Sequence, residues 1–452
     1  MPGLSHTLDV ARRAMSAQQA TMSVIGHNVS NVGTEGYSRQ VANLTAAAPS
    51  LWEEQAYGNG VEMAGVLRKR DRLLDRELRQ DFANLGRWTT RSARFATLES
   101  VINEPSESSI GAAMDEFWGA WSELSSAPDD MTRRATVREQ GQVLTYRFHT
   151  LTDRIGELSE DIDREIITRT DEFNLIISEV KELNAQIAEA ELRGLAPNDL
   201  YDRRDVLLDQ VSELASVTVG ENDDGTVYLR LGGRTLVDQG IYHPLTAGIE
   251  HNADGTSSVI IRLIEGPDLD IENGILGGLI EMREETLPTF ISSIDTLAAT
   301  LIESVNARHR AGTSSVPFFQ GRDAASIEVA PEIVTDLRNV NTSTSGLAGD
   351  NDVALAIAGL RDSRIVASGS QTPREYWESL VGRTGVASRE ARFQEESLTI
   401  TRDALLQERS SISGVSLDEE MANILLVQQA YVAAVRIFEV VNDMMDVMLG
   451  LG

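Results

Sequence analysis

Residues 414–449 read GVSLDEEMANILLVQQAYVAAVRIFEVVNDMMDVML. From Leu417, the residues Met421, Ile424, Gln428, Tyr431, Val435, Phe438, Asn442, Met445 and Leu449 follow in alternating steps of four and three. That spacing draws one stripe along an α-helix and predicts a helix packed lengthwise on a partner. The start of the chain carries the same pattern through Leu4, Leu8, Ala11, Met15, Gln18, Met22, Ile25 and Val29. Helices of this length are marginal alone in water, so each stripe needs a partner. The economical solution pairs the two ends of the chain and makes its middle an excursion from one helical stem. Gln18, Gln428 and Asn442 read as polar seam positions that set register. Met15, Met22, Met421, Met444, Met445 and Met448 read as contacts able to adapt to a neighbour. Periodicity alone leaves two destinations: an ordinary intramolecular helix pair, or a stem that is also a subunit-to-subunit surface in a stacked or tubular assembly.

Between the ends the chain remains helical in pattern, with one interruption. Gly33 and Gly36 stop the first helix in the loop NVGTEGYSRQ, and residues 38 to 70 read as extended and irregular. Helical spacing resumes at Asp71 through Leu74, Leu78, Phe82 and Leu85. The longest helical segment runs from about 137 to 193, with a stutter at Ile162–Ile166, and would approach 80 Å at ~1.5 Å per residue. Gly194 and Pro197 stop it, and Asp199 is positioned to cap the next helix. Alternating apolar residues around Asp224-Gly225 then signal a hairpin, with further turns at Gly232-Gly233 and Asp254-Gly255. Gly277-Gly278 mark the return to helix, residues 313 to 350 have a loop composition, and Gly414 separates the last two helices. The expected fold is mainly α with a small inserted β domain, an elongated helical-bundle rod whose N- and C-terminal helices pair. Its domains are expected at 1–50 with 414–452, at 51–215 with 273–413, and at 216–272.

Composition narrows the function. The 452 residues carry 40 basic and 70 acidic side chains, a net charge of −30, which argues against nucleic-acid binding by phosphate neutralisation. No cysteine is present, so disulfides, thiolate catalysis and Cys-ligated zinc are excluded. No unbroken run of 18 apolar residues exists, and the opening MPGLSHTLDVARRAMSAQQ lacks the apolar core of a cleaved secretion signal, so no membrane partner is expected. His6, His27, His149, His243, His251 and His309 show no ligand spacing and read as surface or packing residues. The glycine pairs fit neither a dinucleotide nor a phosphate loop, Ser413-Gly414-Val415-Ser416 is no nucleophile elbow, and Asn222-Asp223-Asp224-Gly225 reads as a turn, not a calcium loop. Arg68-Lys69-Arg70-Asp71-Arg72 reads as a solvated helix start. Neither catalysis nor any cofactor or metal is expected.

The stretch NVSNVGTEGYSRQ, from Asn28 through Asn31, Gly36, Tyr37, Ser38 and Arg39 to Gln40, resembles the signature of flagellar rod, hook and hook-associated proteins. The closing helix is similar to theirs through Gly414-Val415-Ser416-Leu417-Asp418-Glu419-Glu420 and Gln428-Gln429-Ala430-Tyr431. Arg204-Asp205, GGLIEMRE at 277–284, Val305-Asn306, His309, Phe318-Phe319 and Gly349-Asp350-Asn351 lie between them in the family's order, and the form GYSRQ favours the hook–filament junction branch. The resemblance implies a structural subunit exported through the flagellar type III pathway, forming a homo-oligomeric ring at the distal end of the hook. It implies as partners the hook protein, the second junction protein and a cytoplasmic export chaperone on the C-terminal helix. Only about thirty residues separate Phe319 from Gly349, so the outer β domain of longer members is expected to be missing. The alternative class is a cytoplasmic coiled-coil scaffold or signalling protein, and within the same class the second junction protein or the hook subunit. Assembly is assigned to Leu4, Leu8, Met15, Met22, Ile25 and Val29 on the first helix. On the last helix it is assigned to Leu417, Met421, Ile424, Gln428, Tyr431, Val435, Phe438, Met445 and Leu449.

Overall fold

The computed structural model describes residues 3–52, 55–251, 257–264, 266–312 and 314–450; the turn expected at Asp254-Gly255 lies outside them. In chain order the elements begin with α1 (Leu4–Ser30), β1 (Gln40–Ala46), β2 (Ser50–Trp52), β3 (Gln55–Tyr57), β4 (Val61–Arg68), α2 (Arg72–Ile102), α3 (Ile110–Ser126), α4 (Met131–Leu192) and α5 (Asn198–Leu214). Next come β5 (Thr218–Glu221), β6 (Val227–Leu231), β7 (Arg234–Asp238), β8 (Ile241–Tyr242), β9 (Leu245–His251) and β10 (Ser257–Leu263). The chain ends with α6 (Gly274–Glu281), α7 (Leu287–His309), β11 (Phe319–Gln320), β12 (Glu328–Val329), α8 (Pro331–Thr335), α9 (Asp352–Ala358), α10 (Pro373–Ser413) and α11 (Leu417–Gly450). The fold is mainly α with small antiparallel sheets, and its first and last helices pair. Two compact units are formed: Met1–Ala83, Glu172–Pro244 and Leu398–Gly452, and Asn84–Asp171 with Leu245–Ser397.

In the first unit, α1 lies between α11 and the β1–β4 hairpin. The region expected to be extended and irregular, 38 to 70, is extended but regular in part, with two antiparallel pairs, β1 with β4 and β2 with β3. The core holds Phe173, Ile177, Val180, Leu183 and Ile187 of α4, Leu208 and Val211 of α5, and Val227, Leu229 and Leu231 of the sheet β5-β6-β7-β8. The β5–β6 turn sits at Asp224-Gly225 as expected, with Gly225 at φ +77°. Asn184 pins that sheet: its side chain donates to the Val227 carbonyl at 2.8 Å and accepts from the Val227 N–H at 3.1 Å. Asp199 does not cap α5. It lies inside the first turn and accepts from the Gln40 amide, while Pro197 stands at the cap position.

The second unit is centred on aromatic rings. Phe117 and Trp121 of α3 meet Phe318 and Phe319 at centroid distances of 5.4 Å for both Phe117–Phe319 and Trp121–Phe318. The segment after α7, loop-like in composition, is therefore anchored in the core. Asn306 holds it by accepting from the N–H groups of Phe318 and Phe319 and donating to the Phe319 carbonyl. Gly277 and Gly278 lie inside α6, and a Cβ on Gly278 would come within 2.7 Å of the Arg87 carbonyl, so glycine permits the α2–α6 approach. A π turn at Met282–Thr286 joins α6 to α7, where Pro288 has no N–H for the regular ladder. The pair Arg283–Asp163, at 2.7 Å, is buried nearby.

His309 is fixed as a neutral ring by its neighbours. Nε2 accepts the Asn341 N–H at 2.9 Å, and Nδ1 lies 2.9 Å from the Val316 carbonyl, to which only a protonated Nδ1 can donate. Burial pushes its pKa down to about 4. A histidine that resists protonation in the folded state but not in the unfolded one contributes stability above its unfolded pKa and loses it as pH falls through its folded pKa. We therefore expect stability to decline as pH drops from about 6.5 toward 4, by up to about 3 kcal/mol. Urea unfolding across that range would show the slope, and His309→Gln would flatten it while lowering stability at pH 7.

Candidate assembly surface

The loop that follows α1 folds back onto it. Asn28, 1% exposed, donates from Nδ2 to the Gln40 carbonyl at 2.9 Å. Its Oδ1 accepts from the Gln40 N–H and the Tyr37 hydroxyl, each at 2.9 Å. Asn31 closes the end of the helix by donating to the His27 carbonyl. Gly36 has φ +75°, and a Cβ there would lie 2.1 Å from Val206 Cγ2, so the loop can approach α5 only with glycine. The Ser38 N–H donates to Asp202 of α5, and Arg39 reaches across to α11, 2.7 Å from both Glu419 and the buried Glu420. The signature residues Asn28, Asn31, Gly36, Tyr37, Ser38 and Arg39 are thus one hydrogen-bonded junction. Burial first, then the carboxylates of Asp199, Asp202 and Glu420, hold the Tyr37 hydroxyl well above the ordinary phenol range, so it stays a donor.

Beneath this junction lies an ionic cluster that overturns the reading of Arg68-Lys69-Arg70-Asp71-Arg72 as merely solvated. Arg68 pairs with Asp202 and Asp205, Arg70 with Asp75 and Asp205, and Arg79 with Asp205 and Asp209. Arg409 of α10 closes the set on Asp209 at 2.5 Å. Lys69, Asp71 and Arg72 are exposed as expected, and Asp71 also caps α2 by accepting from the Leu73 and Leu74 N–H groups. Burial would raise the Asp205 pKa, but Arg70, Arg68 and Arg79 together hold it below the usual carboxylate range. Burial would likewise lower Arg70, yet Asp205 and Asp75 keep it above its ordinary value. None of the arginines or aspartates in this cluster belongs to a periodic stripe, which is why helical spacing does not reveal them.

Above the junction rises the α1–α11 stem. Glu420, Ile424, Val427, Tyr431, Ala434, Phe438, Val441 and Met445 form the covered side of α11, with Glu420, Val427, Ala434 and Val441 fully buried. They also alternate in steps of four and three, but the seam is shifted from the expected one. Of the residues assigned by sequence, Ile424, Tyr431, Phe438 and Met445 lie on this side and Val435 at its margin, whereas Leu417, Met421, Gln428 and Leu449 are exposed. Gln428 and Asn442 therefore set no register against α1; the one polar link along the stem is the Gln19 amide donating to the Tyr431 hydroxyl at 3.3 Å. On α1, Ile25 is buried and Leu4, Leu8, Met15, Met22 and Val29 are half-buried.

Part of the other side of α11 is apolar too. Leu425, Leu426, Val432, Ile437, Val440, Met444, Val447 and Met448 are each about half exposed or more. Gln428, Gln429, Arg436, Glu439, Asn442, Asp443 and Asp446 share the exposed surface, so the uncovered apolar residues form a stripe beside a polar one. By length and composition, an 18-residue window within 373–449 would suffice to cross a membrane although no unbroken apolar run exists, and only 17% of that window is buried. Among the described residues no group of three or more histidines and carboxylates could hold a metal ion.

Three family models match the chain: the helical domain of flagellar hook-associated protein FlgK over residues 95–319, the C-terminal region of flagellar basal body rod FlgEFG proteins over 406–451, and the flagella basal body rod protein over 8–37. Flagellar hook-associated protein 1 of Bacillus subtilis is 30% identical over 98% of both chains. The protein of that name in Salmonella typhimurium is 26% identical over 76% of this chain and 63% of its own length, and that of Escherichia coli 25% over 68% and 58%. The solved flagellar hook junction protein FlgK of Burkholderia pseudomallei superposes with a TM-score of 0.66 at 14% identity, over 75% of this chain and all of that one.

The ionic cluster sets a stability test. Asp205→Ala removes a buried carboxylate shared by three guanidinium groups and should cost about 3–5 kcal/mol, the range for a broken buried pair. Thermal unfolding of the full chain would register it, whereas Asp9→Ala, at an exposed ion pair on α1, should change little.

Proposed function

Since the chain belongs to the flagellar hook-associated protein 1 family, we infer that it is a structural subunit of the bacterial flagellum, placed at the hook–filament junction and needed for filament attachment. The observation that carries this beyond family membership is α11: its core-facing side is satisfied by α1, and a further apolar stripe that includes Leu426, Val440 and Val447 is uncovered. In this reading the uncovered side is the assembly surface, together with the assigned positions Leu417, Met421 and Leu449, which share its exposure. Ile424, Phe438 and the α1 residues from Leu4 to Val29 serve assembly indirectly, by holding the stem together.

The partners proposed are further copies of the chain in a junction ring, the hook protein below and the second junction protein above. Before export a cytoplasmic chaperone would cover the uncovered side of α11. The proposed location is the external flagellum, after passage through the type III pathway, and the proposed role involves no chemistry. The terminal helices with the loop to about residue 50 are proposed as the assembly domain, with 51–215 and 273–413 as the helical body and 216–272 as its β insertion.

Assembly energy follows from area. Covering one to two hundred Å² of apolar surface per contact contributes several kcal/mol at roughly 25 cal/mol per Å². We expect Val440→Asp, on the uncovered side, to leave the unfolding profile of the purified chain unchanged and to abolish its recovery in sheared flagella. A strain lacking the gene should build hooks, release flagellin into the medium and fail to swim. Wild-type filaments in that strain, or normal incorporation of the Val440→Asp chain, would be the contrary outcomes.

A further inference from the structure

At the base of the stem, the first unit contains a cleft of about 820 Å³ between the motif loop, α5, the end of α10 and the first turn of α11. Its three cations are already committed: Arg39 to Glu419 and Glu420, Arg70 to Asp75, and Arg409 to Asp209. Two of its carboxylates, Glu35 and Glu213, are exposed and form no ion pair among the described residues. Ser413, only 6% exposed, lines the same cleft, and its hydroxyl has no hydrogen-bond partner. Apolar walls come from the exposed Val32 and from Leu406. Two free carboxylates, an unsatisfied hydroxyl and an apolar wall fit a guanidinium on its methylene stem.

Arg436 supplies such a group. It is the one cation of α11, it is exposed, and it too forms no ion pair among the described residues. Two positions beyond the buried Ala434, it projects about 200° around the helix, onto an exposed face that it shares with Gln429, Glu439 and Asp443. Glu419, on the cleft wall, stands 17 residues earlier on the same helix, roughly 25 Å away at ~1.5 Å per residue. One molecule cannot fill its own cleft. Resting on the assembly role inferred above, we propose that the cleft receives Arg436 of a second copy of this chain, with Glu35 and Glu213 as counter-charges and Ser413 Oγ as acceptor. Cleft and arginine are different patches, so the contact is head-to-tail, the kind that closes into rings or propagates as tubes. The two copies are offset by roughly 25 Å along the stem.

The absence of cysteine makes the test clean. Cells producing two forms of the full chain, Ala433→Cys beside Arg436 and Gln210→Cys on the cleft wall, are sheared, and the flagella are treated with a short bis-maleimide. Both sites are exposed, and the charged residues stay in place. The expected product is a cross-linked pair containing one copy of each form, lost when Arg436→Glu is added to the Ala433→Cys chain. Both forms present in the flagella without that mixed product would overturn the proposal while leaving the junction role standing. A wild-type chain absent from sheared flagella would overturn both. As a second measurement, Arg436→Glu should lower incorporation at least tenfold, and Glu35→Arg with Glu213→Arg should recover most of it; equal incorporation of all three chains would refute the contact.

Discussion

Asp205 sits among three guanidinium groups with almost no access to water, and the first unit is organised around that arrangement. Arg68 closes the β1–β4 hairpin, Arg70 lies in the link to α2, Arg79 is on α2, and Asp205 itself is on α5. Arg409 extends the set to α10 through Asp209. Removing Asp205 leaves three largely desolvated guanidinium groups each short of one carboxylate, which makes its loss costlier than that of a surface ion pair. Its importance is geometric. α1 rests on the β1–β4 hairpin as well as on α11, and at the base of the stem the motif loop is bound to α5 and α11 through Ser38 and Arg39. The cluster gives that loop a rigid floor.

This arrangement resolves the difficulty posed by α11. A helix with two apolar stripes, one of them uncovered, could seat either one on its partner if nothing fixed its orientation. Arg39 holds its first turn through Glu419 and Glu420, and the alternation of small Ala434 with larger Tyr431 and Phe438 seats it along α1. What remains uncovered is thereby presented in one fixed direction. Packing within the chain uses only the α1-facing side of α11, so a substitution on the exposed side need not disturb it.

The sequence made the fold class legible, because period is a strong signal in long helices. The paired termini, the Asp224-Gly225 hairpin and the break at Gly414 all lie where spacing and turn chemistry indicated. The register of the stem was not legible. In a segment as apolar as 424–449, several four-three stripes coexist, and only contact with α1 selects among them. The stripe through Leu417 and Gln428 shares Ile424, Tyr431, Phe438 and Met445 with the real seam and departs from it elsewhere. Glu420 shows why the choice went astray: a carboxylate is a poor candidate for a seam until Arg39, 381 positions away in sequence, is seen to neutralise it. Distance in sequence likewise hid Asp202 and Asp205, the partners of Arg68, although Asp75, the nearest partner of Arg70, is only five positions on. A basic run looks solvated when its acids lie on a helix more than 130 residues further on.

Charge completes the physical picture. At −30 per copy, identical molecules repel at long range, while the uncovered side of α11 attracts in any orientation once surfaces touch. Apolar area sets the strength of such a contact but discriminates poorly among registers, whereas fixed charges penalise every register that leaves one unpaired. All but two of the 40 cations, Lys69 and Lys181, are arginine, whose planar fork selects partners by geometry more strictly than lysine does. Most of those forks are spent within the chain, as in the cluster around Asp205. Arg436, the one cation of α11, therefore carries more positional information than the apolar residues of the same helix, and a cleft with unpaired acids is a surface on which its charge can be met.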